Sequence, residues 1–124
     1  MERFLVGNVV NASETLSRQE IQVKDGTILT VRPAPTAPQK DERRDGIAGG
    51  SYAYAVPGFI DMHTHGAVGH DLMDLDEGGL TEITRHHLRH GTTSFLASSL
   101  TAPLATVEQL LEFVRGYMQK NRLD

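Results

Sequence analysis

At 124 residues the chain is about the size of one ordinary domain. Its 12 Lys plus Arg against 16 Asp plus Glu leave a formal charge of -4, without the concentrated basic footprint that a nucleic-acid surface needs. The absence of cysteine excludes disulfides and thiolate metal sites. Residues 1–7 lack the apolar core of a secretory signal and no apolar run reaches the roughly 20 residues that cross a bilayer, so a cytoplasmic protein with no membrane partner is expected.

Residues 4–10 are β-branched and partly alternating, the pattern of a strand. Residues 20–24 put Ile21 and Val23 on one face. Asp25-Gly26 then supplies the positive φ angles of a tight turn, and residues 27–31 return as a partner strand. Together they predict a small β-rich segment of β-sandwich type over residues 1–56. From Arg32 the composition changes: Pro33, Pro35 and Pro38 remove backbone donors, and residues 40–45 are all charged. Residues 32–50 therefore read as a Pro-rich exposed loop, with Arg43-Arg44 solvated among acidic neighbours.

The pattern then alternates between β and α. Residues 52–56 are strand-like, and residues 59–63 form a short apolar run that fits a buried strand. Leu80, Ile83, His87 and Leu88 recur at helical spacing, with Asp76 as N-cap and Gly91 just past the end. Residues 92–100 read as a second buried strand. Thr101 caps a longer helix with Pro103 in its first turn, and Leu104, Val107, Leu111, Val114 and Met118 are its expected apolar stripe. This order predicts βαβ units around a parallel sheet, the fold class α/β, over residues 57–124. A (β/α)8 barrel takes about 250 residues. Two βα units would be its N-terminal part, so a fragment of a larger enzyme is expected.

Chemistry concentrates at His63 and His65. Residues two apart on a strand share a face and are separated by roughly 6.6 Å along it. Two neutral imidazoles there can converge on one divalent ion. An apolar strand runs into the pair and a small-residue loop, with Gly66, Ala67 and Gly69, follows it. At the C-terminal end of a barrel strand that context favours a metal site over two surface imidazoles. Asp61 either orients a ligand or caps a turn. His70, Asp71, Met73 and Asp74 either border a substrate pocket or, for the acids, bond loop backbone. A second grouping, His86, His87 and His90, has i, i+4 spacing, but Arg85 and Arg89 flank it and no acid lies between. It reads as a solvated helix face, with His87 half-buried beside Ile83.

The run PGFIDMHTHGAVGHDLMD at residues 57–74 resembles the first barrel strand and loop of the N-acetylglucosamine-6-phosphate deacetylases of the amidohydrolase superfamily. HGTTSFLASSLT at residues 90–101 is similar to the second strand of that family, and the Asp25-Gly26 hairpin to its small β domain. The histidine element alone marks the superfamily. The small loop followed by His70-Asp71 and Met73-Asp74 favours the deacetylases over dihydroorotases and dihydropyrimidinases. Ala97, where the family often has Pro, and Gly78-Gly79 at the start of the first helix depart from the pattern.

The resemblance implies a metal-dependent (β/α)8 enzyme that hydrolyses the acetamide of an amino-sugar phosphate and releases acetate. It implies a divalent cofactor (zinc, or iron or another metal) with His63 and His65 in one metal site. Asp61, Gly66, His70 and Asp71 would support the site or border its pocket. The catalytic Asp, the remaining ligands and the main phosphate-binding groups are expected beyond residue 124, and the full-length enzyme is expected to be a homo-oligomer. The rivals are a cyclic-amide hydrolase, an N-acyl-amino-acid deacylase, or a non-catalytic truncated product.

Overall fold

The structure, a computed structural model, describes residues 1–35 and 51–120. Contacts divide the chain into two compact units, Met1–Pro57 and Gly58–Asp124.

The first unit is a four-stranded sheet. Strands β1 (Glu2–Val10), β2 (Thr15–Lys24), β3 (Thr27–Pro33) and β4 (Ser51–Ala55) lie in the order β3-β2-β1-β4. The pairs β1/β2 and β2/β3 are antiparallel, while β4 runs parallel to β1. Strand β2 starts at Thr15, earlier than its apolar pattern indicates. Asn11 explains this: its Oδ1 accepts from the backbone N–H groups of Ser13 and Glu14, both at 2.9 Å, and turns the chain between β1 and β2. The expected turn between β2 and β3 forms at Asp25 and Gly26, with φ of 50° and 72°. Strand β3 continues through Arg32 and Pro33, two residues past the expected end, because Arg32 pairs across the sheet with Glu20. Residues 36–50, most of the expected Pro-rich loop, lie outside the described residues.

Glu20 is the unusual member of this sheet: its side chain is 2% exposed, yet it carries a charge. Burial would raise its carboxyl pKa. Hydrogen bonds from Gln22 (2.6 Å) and Arg32 (2.7 Å), with the charges of Arg32 and Arg3, outweigh burial and hold it below the usual carboxylate range. A group with a lowered folded pKa stabilises the fold above its unfolded value of about 4.3 and loses that contribution as pH falls through the folded value. Glu20→Gln is therefore expected to destabilise the first unit by about 1–3 kcal/mol at pH 7, the lower end allowing for screening of the half-exposed Arg32. Amide hydrogen exchange of β1 and β2 at pH 7 and at pH 3 checks this. A gap between wild type and variant that does not shrink in acid refutes it.

The second unit alternates: β5 (Phe59–Thr64), a two-residue hairpin of β6 (Gly66–Ala67) and β7 (His70–Asp71), α1 (Glu77–Arg89), β8 (Thr92–Ala97) and α2 (Leu104–Lys120). β5 and β8 pair in parallel, with α1 between them in sequence, so the chain is of mixed α/β class. Asp76 caps α1 as expected, accepting from Gly78 (3.1 Å) and Gly79 (2.8 Å). Helix α2 starts later than expected: the Pro103 carbonyl, not Thr101, accepts its first bonds, from Thr106 and Val107.

Leu72, Leu80, Ile83 and Leu110 form the core of this unit. On α1, Leu80 and Ile83 point inward as expected, whereas Leu88 is 62% exposed. On α2 the buried face differs from the expected stripe. Leu110, Phe113, Val114 and Tyr117 pack inward, while Leu104, Leu111 and Met118 are exposed. Both stripes obey a 3.6-residue period and share Val114, so periodicity alone did not decide between them. A part-buried bond of 3.1 Å between the hydroxyls of Thr81 and Tyr117 and the exposed Lys120–Glu77 ion pair (2.8 Å) tie α2 to α1. Among the described residues no helix is long and apolar enough to cross a membrane.

Candidate metal site

The site begins with an irregularity in β5. Asp61 pairs with Phe95 and Thr64 with Ala97, so β5 has one more residue than β8 between these rungs. Such a bulge re-aims side chains at a strand end, and here it falls at Met62 and His63. Asp61 is bound into it: its Oδ1 accepts from the His63 backbone N–H at 3.0 Å, which ties the carboxylate to the main chain of the first histidine.

Beyond the bulge the two imidazoles converge. His63 Nε2 and His65 Nε2 are 3.1 Å apart, with ring centroids at 4.7 Å and planes nearly perpendicular. Tetrahedral zinc with Zn–N bonds of about 2.0–2.1 Å sets its ligand nitrogens roughly 3.3 Å apart. The pair thus has the donor chemistry and nearly the spacing of two ligands to one ion. His65 is held on both sides: its Nδ1 lies 3.0 Å from the Ser98 carbonyl oxygen, and its own carbonyl accepts from Leu72 N–H at 2.8 Å. Ser98 N–H in turn donates to Thr64 O at 2.9 Å, so the ends of β5 and β8 are joined at the site.

The small-residue loop is shaped by close approach. A Cβ on Gly66 would sit 2.1 Å from the His70 carbonyl oxygen, so only glycine lets the β6–β7 hairpin close. Gly79, which weakens the helix on propensity grounds, has a packing reason. A Cβ there would lie 2.8 Å from His70 Nδ1, which places the His70 ring against the first turn of α1. Asp71 and Asp74 form a reciprocal cap on the turn Leu72–Asp74: Asp71 Oδ1 accepts from Met73 N–H (2.8 Å) and Asp74 Oδ2 from Asp71 N–H (3.2 Å). Both carboxylates thus bond loop backbone. Neither the His70 nor the Asp71 side chain hydrogen-bonds the histidine pair.

In the second grouping the His86 and His90 rings also approach, with centroids at 4.4 Å, but no hydrogen bond joins their ring nitrogens. His90 Nδ1 lies 2.8 Å from the His86 carbonyl, which ties it to the end of α1, and His87 stacks on Phe95 at 4.9 Å. Among the described residues no three His, Asp or Glu side chains gather in a way that holds a metal, so the site here consists of the pair alone. Sequence reasoning missed the Ser98 carbonyl, since any residue offers one and no side-chain signal marks it.

Comparison with known proteins places this geometry in context. The chain is 38% identical over 93 residues to the N-acetylglucosamine-6-phosphate deacetylase of Lysinibacillus sphaericus, covering 75% of this chain and 23% of that protein. It is 28% identical over 105 residues to the N-acetylgalactosamine-6-phosphate deacetylase of Escherichia coli O157:H7, covering 85% and 26%. The crystal structure of N-acetyl-D-glucosamine-6-phosphate deacetylase from Mycobacterium smegmatis superposes with a TM-score of 0.80 at 20% identity, over 98% of this chain and 33% of that one, a likeness of fold. The chain thus spans about a quarter of the length of the curated relatives it matches. The model of the Amidohydrolase family matches residues 54–122, more than half of the chain, with His63 and His65 inside the match, and the chain belongs to that family.

Proposed function

We propose that these residues serve a metal-dependent deacetylase that hydrolyses the acetamide of an N-acetylated amino-sugar 6-phosphate. The observation that carries this reading is the convergence of His63 Nε2 and His65 Nε2, in an amidohydrolase-family chain whose matched relatives are amino-sugar-phosphate deacetylases. The two imidazoles would hold a divalent ion such as zinc, which supplies Lewis-acid polarisation of the amide carbonyl. This chain's residues orient the ligands. Asp61 binds the main chain of His63, and Ser98 and Leu72 bracket His65. The loop at Gly66, with His70 and Asp71, borders the pocket. The general base and the groups that bind the sugar phosphate belong to the whole enzyme, which we read as a cytoplasmic homo-oligomer with a (β/α)8 barrel and a small β-sandwich domain.

The test is a chimera in which this sequence replaces the matching part of the Lysinibacillus sphaericus deacetylase. It is expected to release acetate from N-acetylglucosamine 6-phosphate and to stop when a chelator removes the metal. The 124-residue chain alone is expected to show no turnover. N-acetylgalactosamine 6-phosphate, assayed in parallel, resolves the hexose. A folded, metal-loaded chimera that is inactive on both sugars refutes the proposal.

A further inference from the structure

A carbonyl oxygen only accepts hydrogen bonds. With Ser98 O 3.0 Å from His65 Nδ1, that ring nitrogen must carry the proton for the contact to be a bond, which leaves Nε2 of neutral His65 with its lone pair free. His65 Nε2 is also 3.1 Å from His63 Nε2, and the same logic makes His63 the donor in that contact. We infer that Ser98 is a positioning residue: its main-chain carbonyl locks His65 in the Nδ1–H form and presets its Nε2 as a ligand before any ion arrives. His63 is the adaptable member of the pair and must move its ring proton from Nε2 to Nδ1 before it can ligate.

Three features make Ser98 suited to this. Its N–H is fixed by Thr64 O at 2.9 Å, and Thr64 is buried, so the carbonyl is carried by a strand end and not by a free loop. Its hydroxyl turns back to Leu96 O at 3.3 Å and takes no part in the contact with His65. The main chain of His65 is anchored independently by Leu72 N–H, so the contact with the Ser98 carbonyl acts on the side chain alone. Metal-binding histidines commonly donate their second ring N–H to such an acceptor, which fixes tautomer and orientation together. The inference rests on the reading of the pair as ligands, but the tautomer is a property of the metal-free chain and can be measured without it.

The experiment uses the 124-residue chain with zinc as probe. Long-range proton–nitrogen correlation spectra of the metal-free protein are expected to show His65 protonated at Nδ1 and His63 at Nε2. An Nε2–H form of His65, or rapid averaging of the two, overturns the inference even if the deacetylase reading stands. Zinc titration followed on the His65 ring then compares two variants. Ser98→Ala keeps both main-chain groups and is expected to retain the affinity, whereas Ser98→Pro loses the N–H that holds the carbonyl and is expected to weaken zinc by about 10–100-fold. Equal weakening in both variants places the role in the hydroxyl and overturns the inference. Should Ser98→Pro fail to fold, the tautomer spectrum of the wild-type chain decides alone.

Discussion

Ile83→Ala is expected to unfold the second unit while leaving the first intact. Ile83 is fully buried and packs with Leu72, Leu80 and Leu110, which together are the whole of this unit's buried apolar core among the described residues. Truncating such a side chain costs about 2–5 kcal/mol, the lost transfer energy plus the cavity left behind. A unit of this size supplies only about 3–5 kcal/mol from one hydrophobic core. The loss is comparable to the total, so the variant sits at or past its midpoint in water. Both described helices, α1 and α2, belong to this unit, so the helical circular-dichroism signal reports on it specifically. The matched control is Leu88→Ala on the same helix, 62% exposed, for which a change within about 0.5 kcal/mol is expected. A urea midpoint for Ile83→Ala equal to that of Leu88→Ala would mean that the core lies elsewhere.

The same core shows how far sequence reading reached. The strands at residues 4–10 and 27–31, the Asp25-Gly26 turn, the Asp76 cap and the order of strands and helices after residue 58 were legible, because each rests on a local signal with a local cause. What escaped depends on contacts between distant residues. The start of β2 is set by the turn at Asn11, whose polar residues hide the strand that follows. The buried side of α2 is selected by α1 through Tyr117 and Thr81, a choice that an apolar helix with two candidate stripes leaves open. Gly79 looks like a flaw in a helix until the His70 ring is seen to occupy the space of its side chain.

For the candidate site, the sequence pointed to His63 and His65 through spacing on an ideal strand. The pair does converge, but by way of a bulge at Met62 and His63 that strict alternation does not include. Asp61 was readable as a residue close to the pair, and its partner, the His63 backbone N–H, was not. For the acids of the following loop, Asp71 and Asp74, the sequence left open a pocket role or a bond to loop backbone, and their side chains bond the backbone of the turn.

The largest functional effect is expected from the pair itself. In the chimera, His65→Ala should lower the metal content by one equivalent per chain, and His63→Ala should do the same. The reasoning is one of denticity. Loss of an outer hydrogen bond to a ligand already costs about 10–100-fold in affinity, and loss of the ligand itself costs at least that. The other histidine grouping, His86 on α1 and His90 at its C-terminal cap, has His90 Nδ1 committed to the His86 carbonyl and Arg85 and Arg89 beside it. They are not expected to take over, so His86→Ala and His90→Ala serve as controls that keep the full metal content. Elemental analysis after dialysis reads the outcome directly, and turnover read alongside it adds the role of the ion: acetate release should fall with the metal in both His variants. Metal content that stays at the wild-type level in His63→Ala and His65→Ala would remove the pair from the site, whatever the activity of the chimera. A metal loss confined to His65→Ala would instead mean that the preset imidazole binds alone and that His63, 3.1 Å away, serves only as its hydrogen-bond donor.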